Sequence, residues 1–178
     1  MTQIYGVTGM PLSGKTTVAE KMEEQGYAVL DMGNIVRIEM KDRDIPTEQT
    51  GDFVNKMREI HGNDAISQLS IPYLEEIMEA KDKIVITGMR SWDEKQRFEK
   101  ETNENIEIIA VWTSRKTRKQ RRQKRQREED QVGDKFKERD QREIQNGVAK
   151  LMALSDKIIK NENISMEELE NKVNQIVN

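Results

Sequence analysis

Short apolar segments alternate along the chain with segments in which apolar residues recur every three or four positions. Runs rich in β-branched and aromatic residues predict five strands, at 3–8, 27–31, 83–87, 106–112 and 157–160. Between them the spacing is helical, as where Val18, Ala19 and Met22 share one face. Parallel neighbours require crossover connections, and the intervening helices supply them. The pattern therefore predicts an α/β fold, a five-stranded parallel sheet with helices on both faces.

Two of the predicted connections are too long to be simple crossovers. The first, 32–82, contains two long helical patterns, and Pro72 is expected to kink or divide the second of them. The other, 113–142, starts with a run of basic residues. Insertions at the ligand end of a sheet usually hold substrate or act as lids. We therefore expect one domain, 1–178, with an acceptor-binding helical insertion at 32–82 and a basic lid at 113–142.

Composition narrows the class of protein. Charged residues make up 35% of the 178 residues and hydrophobic residues 34%, and the formal net charge is −3, too small to hold a chain open. The sequence has no Cys, which excludes disulfides, thiolate catalysis and zinc sites built on sulfur. No apolar run approaches the ~20 residues of a membrane span, and the first residues lack the basic region of a signal peptide. We expect a cytoplasmic protein without membrane contact.

The basic residues are concentrated in one segment. Nine of the thirteen residues from 115 to 127 are Lys or Arg, and Arg118, Arg121 or Arg122, and Arg125 would share one face of a helix. Because no apolar residue lies between Trp112 and Val132, this helix is expected to bury nothing and to be mobile. Such a lid would close over a triphosphate. The alternative is an arm that binds nucleic acid, and the two functions are compatible.

The strongest chemical signal is the loop at 9–16, which reads GMPLSGKT. It matches G-x-x-x-x-G-K-[ST] at every fixed position and lies between a predicted strand and a predicted helix. Successive backbone N–H groups of such a phosphate-binding loop (P-loop) form a cradle for anions at the helix N-terminus. Lys15 would reach the β- and γ-phosphates, and the Thr16 hydroxyl would bind Mg²⁺. The sequence therefore predicts ATP and Mg²⁺ as cofactors.

The ends of the second and third strands carry candidate acceptor ligands. Asp31 and Arg37 follow the second strand, and Arg90 follows the third. A phosphorylated acceptor is already anionic, so it needs bidentate cations rather than a general base. A hydroxyl acceptor would need a base, and Asp31 is the candidate. The two Arg residues favour a phosphorylated acceptor such as a nucleoside monophosphate.

Several ordered motifs resemble those of the P-loop nucleotide kinases, most closely the archaeal family described as adenylate-kinase-related or dephospho-CoA-kinase-like. The motifs are GMPxSGKT at 9–16, MGxxVR at 32–37, GxRS at 88–91, RxR with an acidic stretch at 125–130, RDxRE at 139–143 and SDxIIxNE at 155–162. The resemblance covers almost the whole chain. It implies a three-layer P-loop kinase sandwich, with 113–142 as the lid, Arg37 and Arg90 as acceptor-phosphate ligands, and Asn161 beside the adenine ring.

The loop and the resemblance together give a set of expected site residues. ATP-binding residues are Gly9, Pro11, Leu12, Ser13, Gly14, Lys15, Thr16, Thr17, Arg118 and Asn161, the catalytic residues are Lys15, Asp31, Arg121 and Arg125, and the metal ligands are Thr16 and Asp31. Asp140 is expected to orient its neighbour Arg139.

Two positions depart from the family pattern. Thr87 stands at the end of the third strand, where relatives tend to have the Walker B carboxylate, and Asn34 stands where they often have Asp. Because Thr holds hydrated Mg²⁺ less strongly than Asp, we expect metal binding to depend on Asp31 and turnover to be slow. The leading hypothesis is a kinase of nucleoside monophosphates. The alternatives are transfer to a hydroxyl, as in dephospho-CoA, and an ATP-binding module whose basic arm (115–127) contacts RNA or DNA.

Overall fold

The computed structural model of the protein describes residues 2–125 and 135–177, apart from the side chains of Arg125 and Lys135. The strands β1 (Gln3–Thr8), β2 (Ala28–Asp31), β3 (Lys83–Thr87), β4 (Ile106–Trp112) and β5 (Lys157–Lys160) form one sheet. All neighbours are parallel and the order is β2-β3-β1-β4-β5. The predicted five-stranded parallel sheet is confirmed. All five strands therefore direct their carboxyl ends to one edge, where ligands of open α/β sheets bind.

Helices cover both faces of this sheet. They are α1 (Lys15–Glu23), α2 (Met32–Asp42), α3 (Thr50–His61), α4 (Ala65–Ala80), α5 (Trp92–Thr102), α6 (Arg115–Arg125), α7 (Lys135–Gln145), α8 (Val148–Ala153) and α9 (Met166–Val177), with a 3₁₀ turn at Thr47–Gln49. Helices α1 and α9 pack on one face around Val7 and Ile109. On the opposite face α2 to α5 and α8 pack around Ile84, Ile86 and Ile108. Burial on both faces explains why the strands are almost continuously apolar.

Local signals explain where two of these helices begin and continue. At the start of α9 the Glu168 amide donates to Ser165 Oγ (3.1 Å) and the Ser165 amide donates to the Glu168 carboxylate (2.7 Å), the capping box expected from the sequence. The expectation that Pro72 divides its helix is wrong, because α4 continues through it. Pro72 removes only one backbone donor. The buried residues Ile66 and Leu74 on either side anchor α4 in the core.

The basic lid (113–142) contributes α6 and α7. The expectation that α6 buries nothing is wrong, because its apolar partner comes from α7. The Phe136 ring is buried, and the guanidinium groups of Arg115, Arg118 and Arg122 lie 5.5, 5.2 and 5.9 Å from its centroid. Arginine favours such stacking because it is weakly hydrated and planar. Within residues 2–125 and 135–177, no helix has the length and apolar character needed to cross a bilayer.

Candidate active site

The P-loop (9–16) joins β1 to α1 in a conformation that depends on two glycines. Gly9 has φ +153° and Gly14 has φ +100°. A Cβ at Gly9 would lie 2.5 Å from the Val111 carbonyl oxygen, and one at Gly14 would lie 2.3 Å from Asn161 Nδ2. Both positions therefore require glycine, for space as well as for backbone conformation.

Side chains from outside the P-loop bind its carbonyl oxygens. Arg118 Nη1 donates to the Pro11 oxygen (3.2 Å), and Arg121 Nη1 donates to the Leu12 and Ser13 oxygens (both 3.1 Å). The Ser13 oxygen also accepts bonds from Asn161 Nδ2 (2.8 Å) and Thr113 Oγ1 (3.0 Å). Three consecutive carbonyl groups thus point away from the anion cradle and towards α6 and the end of β5.

Lys15 lies at the first turn of α1, where its ammonium group donates to the Met10 oxygen (3.0 Å). Burial is the main reason that the pKa of Lys15 is lowered to about 8; Glu143 opposes the lowering, and the positive charges of Arg90, Arg139 and Arg118 add to it. The charge of this lysine is therefore poorly stabilised in the ligand-free protein. A phosphate group is the partner that its position at a helix N-terminus predicts.

Two cavities include Lys15 in their lining. The first, called the α9 cavity, has a volume of about 500 Å³. Its lining includes Leu12, Gly14, Lys15, Thr16, Thr17, Arg121 and Asn161, with apolar surface from Ile164, Met166 and Leu169. Polar groups at one end and apolar side chains at the other suit a nucleoside phosphate. The structure thus places Asn161 and the P-loop beside one cavity, and the role of Asn161 beside an adenine ring stays a prediction.

The second cavity, called the β3 cavity, has a volume of about 410 Å³ and shares Leu12, Lys15 and Thr16 with the first. The P-loop, α1, the ends of β2 and β3 and the helix α7 complete it. The lining includes Gly9, Pro11, Gly33, Thr87 and Gly88, the cations Arg90 and Arg139, and the carboxylates of Glu20, Glu23, Asp31 and Glu143. Asp31 and Thr87 are paired in the β2–β3 register, so the Asp31 carboxylate stands next to the position that lacks the Walker B acid. The two cavities therefore meet at the residues expected to hold the γ-phosphate.

The acceptor candidates after β2 form an exposed pair. Asp31 caps α2 by accepting a bond from the Gly33 amide (2.9 Å), and Arg37 Nη2 lies 3.4 Å from its other oxygen. The Arg37 side chain is 54% exposed. Asp31 lines the β3 cavity, whereas Arg37 is not among the lining residues. The contact with Asp31 connects Arg37 to the cavity.

Arg90 reaches the β3 cavity directly. Its Nε donates to the Glu143 carboxylate (3.0 Å), and its side chain remains 40% exposed. The turn that carries Arg90 is held by the buried carboxylate of Glu94, which accepts bonds from the amides of Arg90 (2.6 Å) and Ser91 (3.1 Å). Burial raises the pKa of Glu94, and the nearby Arg58 opposes that rise. The buried Glu94 carboxylate therefore fixes the turn from which the partly exposed Arg90 side chain extends.

A third cavity, called the α3 cavity, extends the β3 cavity between the insertion and the lid. It has a volume of about 540 Å³ and shares Arg90, Arg139 and Glu143 with the β3 cavity. Its remaining lining comes from Glu48, Thr50, Gly51, Val54, Asn55, Glu138, Arg142 and Asn146. The RDxRE motif thus supplies two cations to this cleft that the sequence analysis did not assign to the site. Helical spacing from Arg139 to Glu143 was the available signal.

Three lid residues take positions that differ from expectation or cannot be placed. Asp140 was expected to orient Arg139, but it forms a bidentate ion pair with Arg118 (2.7 and 2.9 Å). Arg118, expected to contact ATP, lies outside both the α9 and the β3 cavity. The Arg125 side chain, expected to be catalytic, falls outside the described residues.

Oxygen donors suited to Mg²⁺ lie where the two cavities meet. Thr16 offers an exposed hydroxyl and Asp31 a half-exposed carboxylate. Mg²⁺ is typically held by one or two such protein oxygens, with water and substrate phosphates completing six positions. No group of three or more metal-ligating side chains occurs in the described ranges. The donor set therefore fits a metal carried by a nucleotide.

The fold and the site define the class of protein, the P-loop kinase-like proteins. TT1252 from Thermus thermophilus has the same fold, with a TM-score of 0.67, 15% identity, and coverage of 99% of this chain and 96% of that chain. The shikimate kinase from Bacteroides thetaiotaomicron gives a TM-score of 0.62 and 14% identity, covering 98% of both chains. At these identities the likeness shows the fold alone.

Sequence comparisons give the particular family. Residues 8–138 match the family described as an AAA domain. UPF0200 protein MMP1282 of Methanococcus maripaludis is 34% identical over 182 residues, covering 99% of this chain and 98% of that protein. UPF0200 protein PF1294 of Pyrococcus furiosus is 36% identical over 160 residues, covering 88% of this chain and 86% of that protein. The chain belongs to the UPF0200 family of archaeal P-loop proteins, and the likeness to adenylate kinase stays a prediction.

Proposed function

We propose that the protein transfers the γ-phosphoryl group of ATP to a small phosphorylated acceptor such as a nucleoside monophosphate. One observation carries this proposal. Two cavities share Lys15 and Thr16, and the β3 cavity is also lined by the cations Arg90 and Arg139, beside the carboxylates of Glu20, Glu23, Asp31 and Glu143. A donor and an anionic acceptor can therefore both be held next to the same lysine.

In the proposed reaction an oxygen of the acceptor phosphate attacks the γ-phosphorus. The bond between that phosphorus and the β–γ bridging oxygen breaks, and ADP leaves with the electron pair. Lys15 stabilises the negative charge of the phosphoryl group during its transfer, and Arg90 and Arg139 offset the repulsion between the donor and acceptor phosphates. No general base is needed, because the attacking oxygen is already anionic. Thr16 and Asp31 would hold Mg²⁺, which neutralises developing charge when bound.

A hydroxyl acceptor is the second candidate, and the position of Asp31 favours it. Its carboxylate lines the β3 cavity next to Thr87 and could accept a proton from a bound hydroxyl. However, its two oxygens already accept bonds from the Gly33 amide and from Arg37. Using Asp31 as a base would require loss of the Arg37 contact, so the phosphorylated acceptor remains the leading proposal.

The arrangement of α6 weakens the case for a nucleic-acid arm. Arg118 and Arg121 bind P-loop carbonyls, and Arg122 lies over Phe136. The exposed cations of the described part of α6 are Arg115, Lys116, Lys119 and Lys124. A smaller set of outward charges is therefore available for phosphate backbones.

Initial-rate assays test the proposal. The protein is incubated with ATP, Mg²⁺ and one acceptor at a time, from a panel of nucleoside monophosphates plus dephospho-CoA, with Lys15→Ala as the control. We expect ADP formation that depends on a monophosphate and is lost in the variant. Dependence on dephospho-CoA alone would select the hydroxyl mechanism. ADP formation stimulated by RNA and independent of every acceptor would contradict the kinase proposal.

A further inference from the structure

Among the residues of the basic lid whose side chains the structure describes, Arg118 is the most deeply buried cation. Its side chain is 5% exposed, and both of its terminal nitrogens bind Asp140. Nη1 also donates to the Pro11 carbonyl oxygen (3.2 Å), and the guanidinium plane lies 5.2 Å from the Phe136 centroid. The Asp140 carboxylate, the Phe136 ring and the Pro11 carbonyl group thus hold Arg118 against the P-loop.

Because a peptide group is planar, the bond from Arg118 to the Pro11 carbonyl oxygen also sets the direction of the next N–H, that of Leu12. In a trans peptide the C=O and the following N–H point in opposite directions, and the described chain contains no cis peptide. Because the Pro11 oxygen faces Arg118, the Leu12 N–H faces away from it. Leu12 lines both the α9 and the β3 cavity, whereas Arg118 lines neither of them.

Leu12 shows why such support is needed. It has φ +66°, a left-handed conformation that non-glycine residues adopt at a cost. A strained residue persists only where its surroundings hold it in place. A backbone bond from the Ser13 amide to the Met10 oxygen (3.2 Å) closes the turn around Leu12. The bonds from Arg118 to the Pro11 oxygen and from Arg121 to the Leu12 oxygen hold the two peptide groups that flank its Cα.

We propose that Arg118, held by Asp140, is a positioning residue that fixes the P-loop from behind and directs its amides towards the phosphates. This inference rests on the proposed function, since it assumes that the P-loop binds phosphates. Arg118 does not contact the nucleotide in this arrangement. Asp140 neutralises it, so its contribution is the orientation of the Pro11 peptide rather than its charge.

The competing role makes the opposite prediction for Asp140. If Arg118 were a phosphate ligand stored in an ion pair, Asp140→Asn would release it and remove a negative charge, so phosphate would bind more tightly. In the positioning role the same change loosens Arg118 from the Pro11 carbonyl, so phosphate binds less tightly. The sign of one measurement therefore separates the two roles.

Calorimetry with magnesium-free pyrophosphate is the test, because this probe occupies the anion cradle without needing an adenine site. We expect Asp140→Asn and Arg118→Gln each to weaken binding about tenfold, the effect of losing one charge-assisted hydrogen bond. Arg115→Gln is the matched control. Arg115 lies over the same Phe136 ring and 3.6 Å from the same carboxylate, but its side chain is 62% exposed. We expect less than about a twofold change there, as for most exposed ion pairs.

A second readout separates positioning from general destabilisation. In ¹⁵N-correlated spectra of the ligand-free protein, recorded well below the thermal midpoint, we expect Asp140→Asn to move the Leu12 amide resonance and to leave those of the core residues Met40 and Leu74 in place. The thermal midpoint of Asp140→Asn should fall below that of Arg115→Gln, because the buried Arg118 loses its charged partner. Unchanged or tighter pyrophosphate binding by Asp140→Asn would overturn the inference. Failure of the unsubstituted protein to bind pyrophosphate or ATP would instead overturn the proposed function.

Discussion

The two sides of Lys15 differ in how their arginines are held. On the nucleotide side Arg118 is almost fully buried, and it binds the P-loop backbone together with Arg121. On the acceptor side Arg37 and Arg90 are 54% and 40% exposed, and each contacts one carboxylate. The difference indicates that the P-loop is built before ligand arrives, whereas the acceptor cations can still change partners. Specificity for the acceptor should therefore reside in the exposed set.

Replacing the lysine between the two sides should have the largest effect. Lys15→Ala removes the cation that lies between both cavities, and we expect acceptor-dependent ADP formation to fall about a thousandfold. Thermal unfolding should change little, because Lys15 makes one backbone contact in the ligand-free protein. Retention of more than a tenth of the activity would show that the transferred group lies elsewhere.

Gly14→Ala tests whether ATP binding depends on the P-loop conformation that the ligand-free protein already has. The new Cβ would lie 2.3 Å from Asn161 Nδ2 and would break its bond to the Ser13 oxygen. We expect ATP to bind about a hundredfold more weakly by calorimetry, corresponding to about 3 kcal/mol of strain.

Gly26→Ala is the control for that substitution. Gly26 also has a left-handed φ of +90°, but a Cβ there meets nothing within 4 Å. It should lower stability by a similar backbone cost and leave ATP affinity unchanged. Equal losses of ATP affinity in the two variants would mean that backbone strain alone, and not the Asn161 contact, governs the P-loop.

The acceptor side is tested by comparing its two exposed arginines. We expect Arg90→Gln to raise the acceptor KM about thirtyfold, as for loss of a charge-assisted hydrogen bond, with little change in the KM for ATP. Arg37→Gln should raise the acceptor KM by about fivefold or less, since it reaches the β3 cavity through Asp31. A larger effect on the KM for ATP in either variant would remove its assignment to the acceptor.

The pH dependence of ATP binding should give a smaller effect than Arg90→Gln. Because the pKa of Lys15 is about 8 in the ligand-free protein, affinity should fall about tenfold between pH 7.5 and pH 9, with proton uptake on binding at the higher pH. Stability of the ligand-free protein should change in the opposite direction. The pKa of Lys15 is lower in the folded protein than in the unfolded chain. Stability therefore rises as the pH increases above about 8, where the folded protein has lost this proton and the unfolded chain still holds it. Calorimetry in buffers of different ionisation enthalpy measures the uptake, and Lys15→Met should abolish it.

The sheet and the P-loop could be predicted because their signals are local. Apolar runs and the G-x-x-x-x-G-K-[ST] spacing lie within short segments, and four of the five strands have the predicted bounds. The partner of Arg118 could not be predicted, because Asp140 is 22 residues away in sequence. Periodicity describes which residues of α6 share a face, but it does not reveal that Phe136 of α7 lies under them. The same limit hid Glu143 and Glu94, whose roles depend on the position of Arg90.

The shared lining of the α9 and β3 cavities has a stereochemical consequence. Leu12, Lys15 and Thr16 belong to both cavities, so in the proposed reaction donor and acceptor would be bound next to each other, with the transferred phosphorus between them. A single in-line displacement follows, with both substrates bound at once. Initial-rate plots should then intersect rather than run parallel, and a chiral thiophosphoryl group should emerge with its configuration inverted.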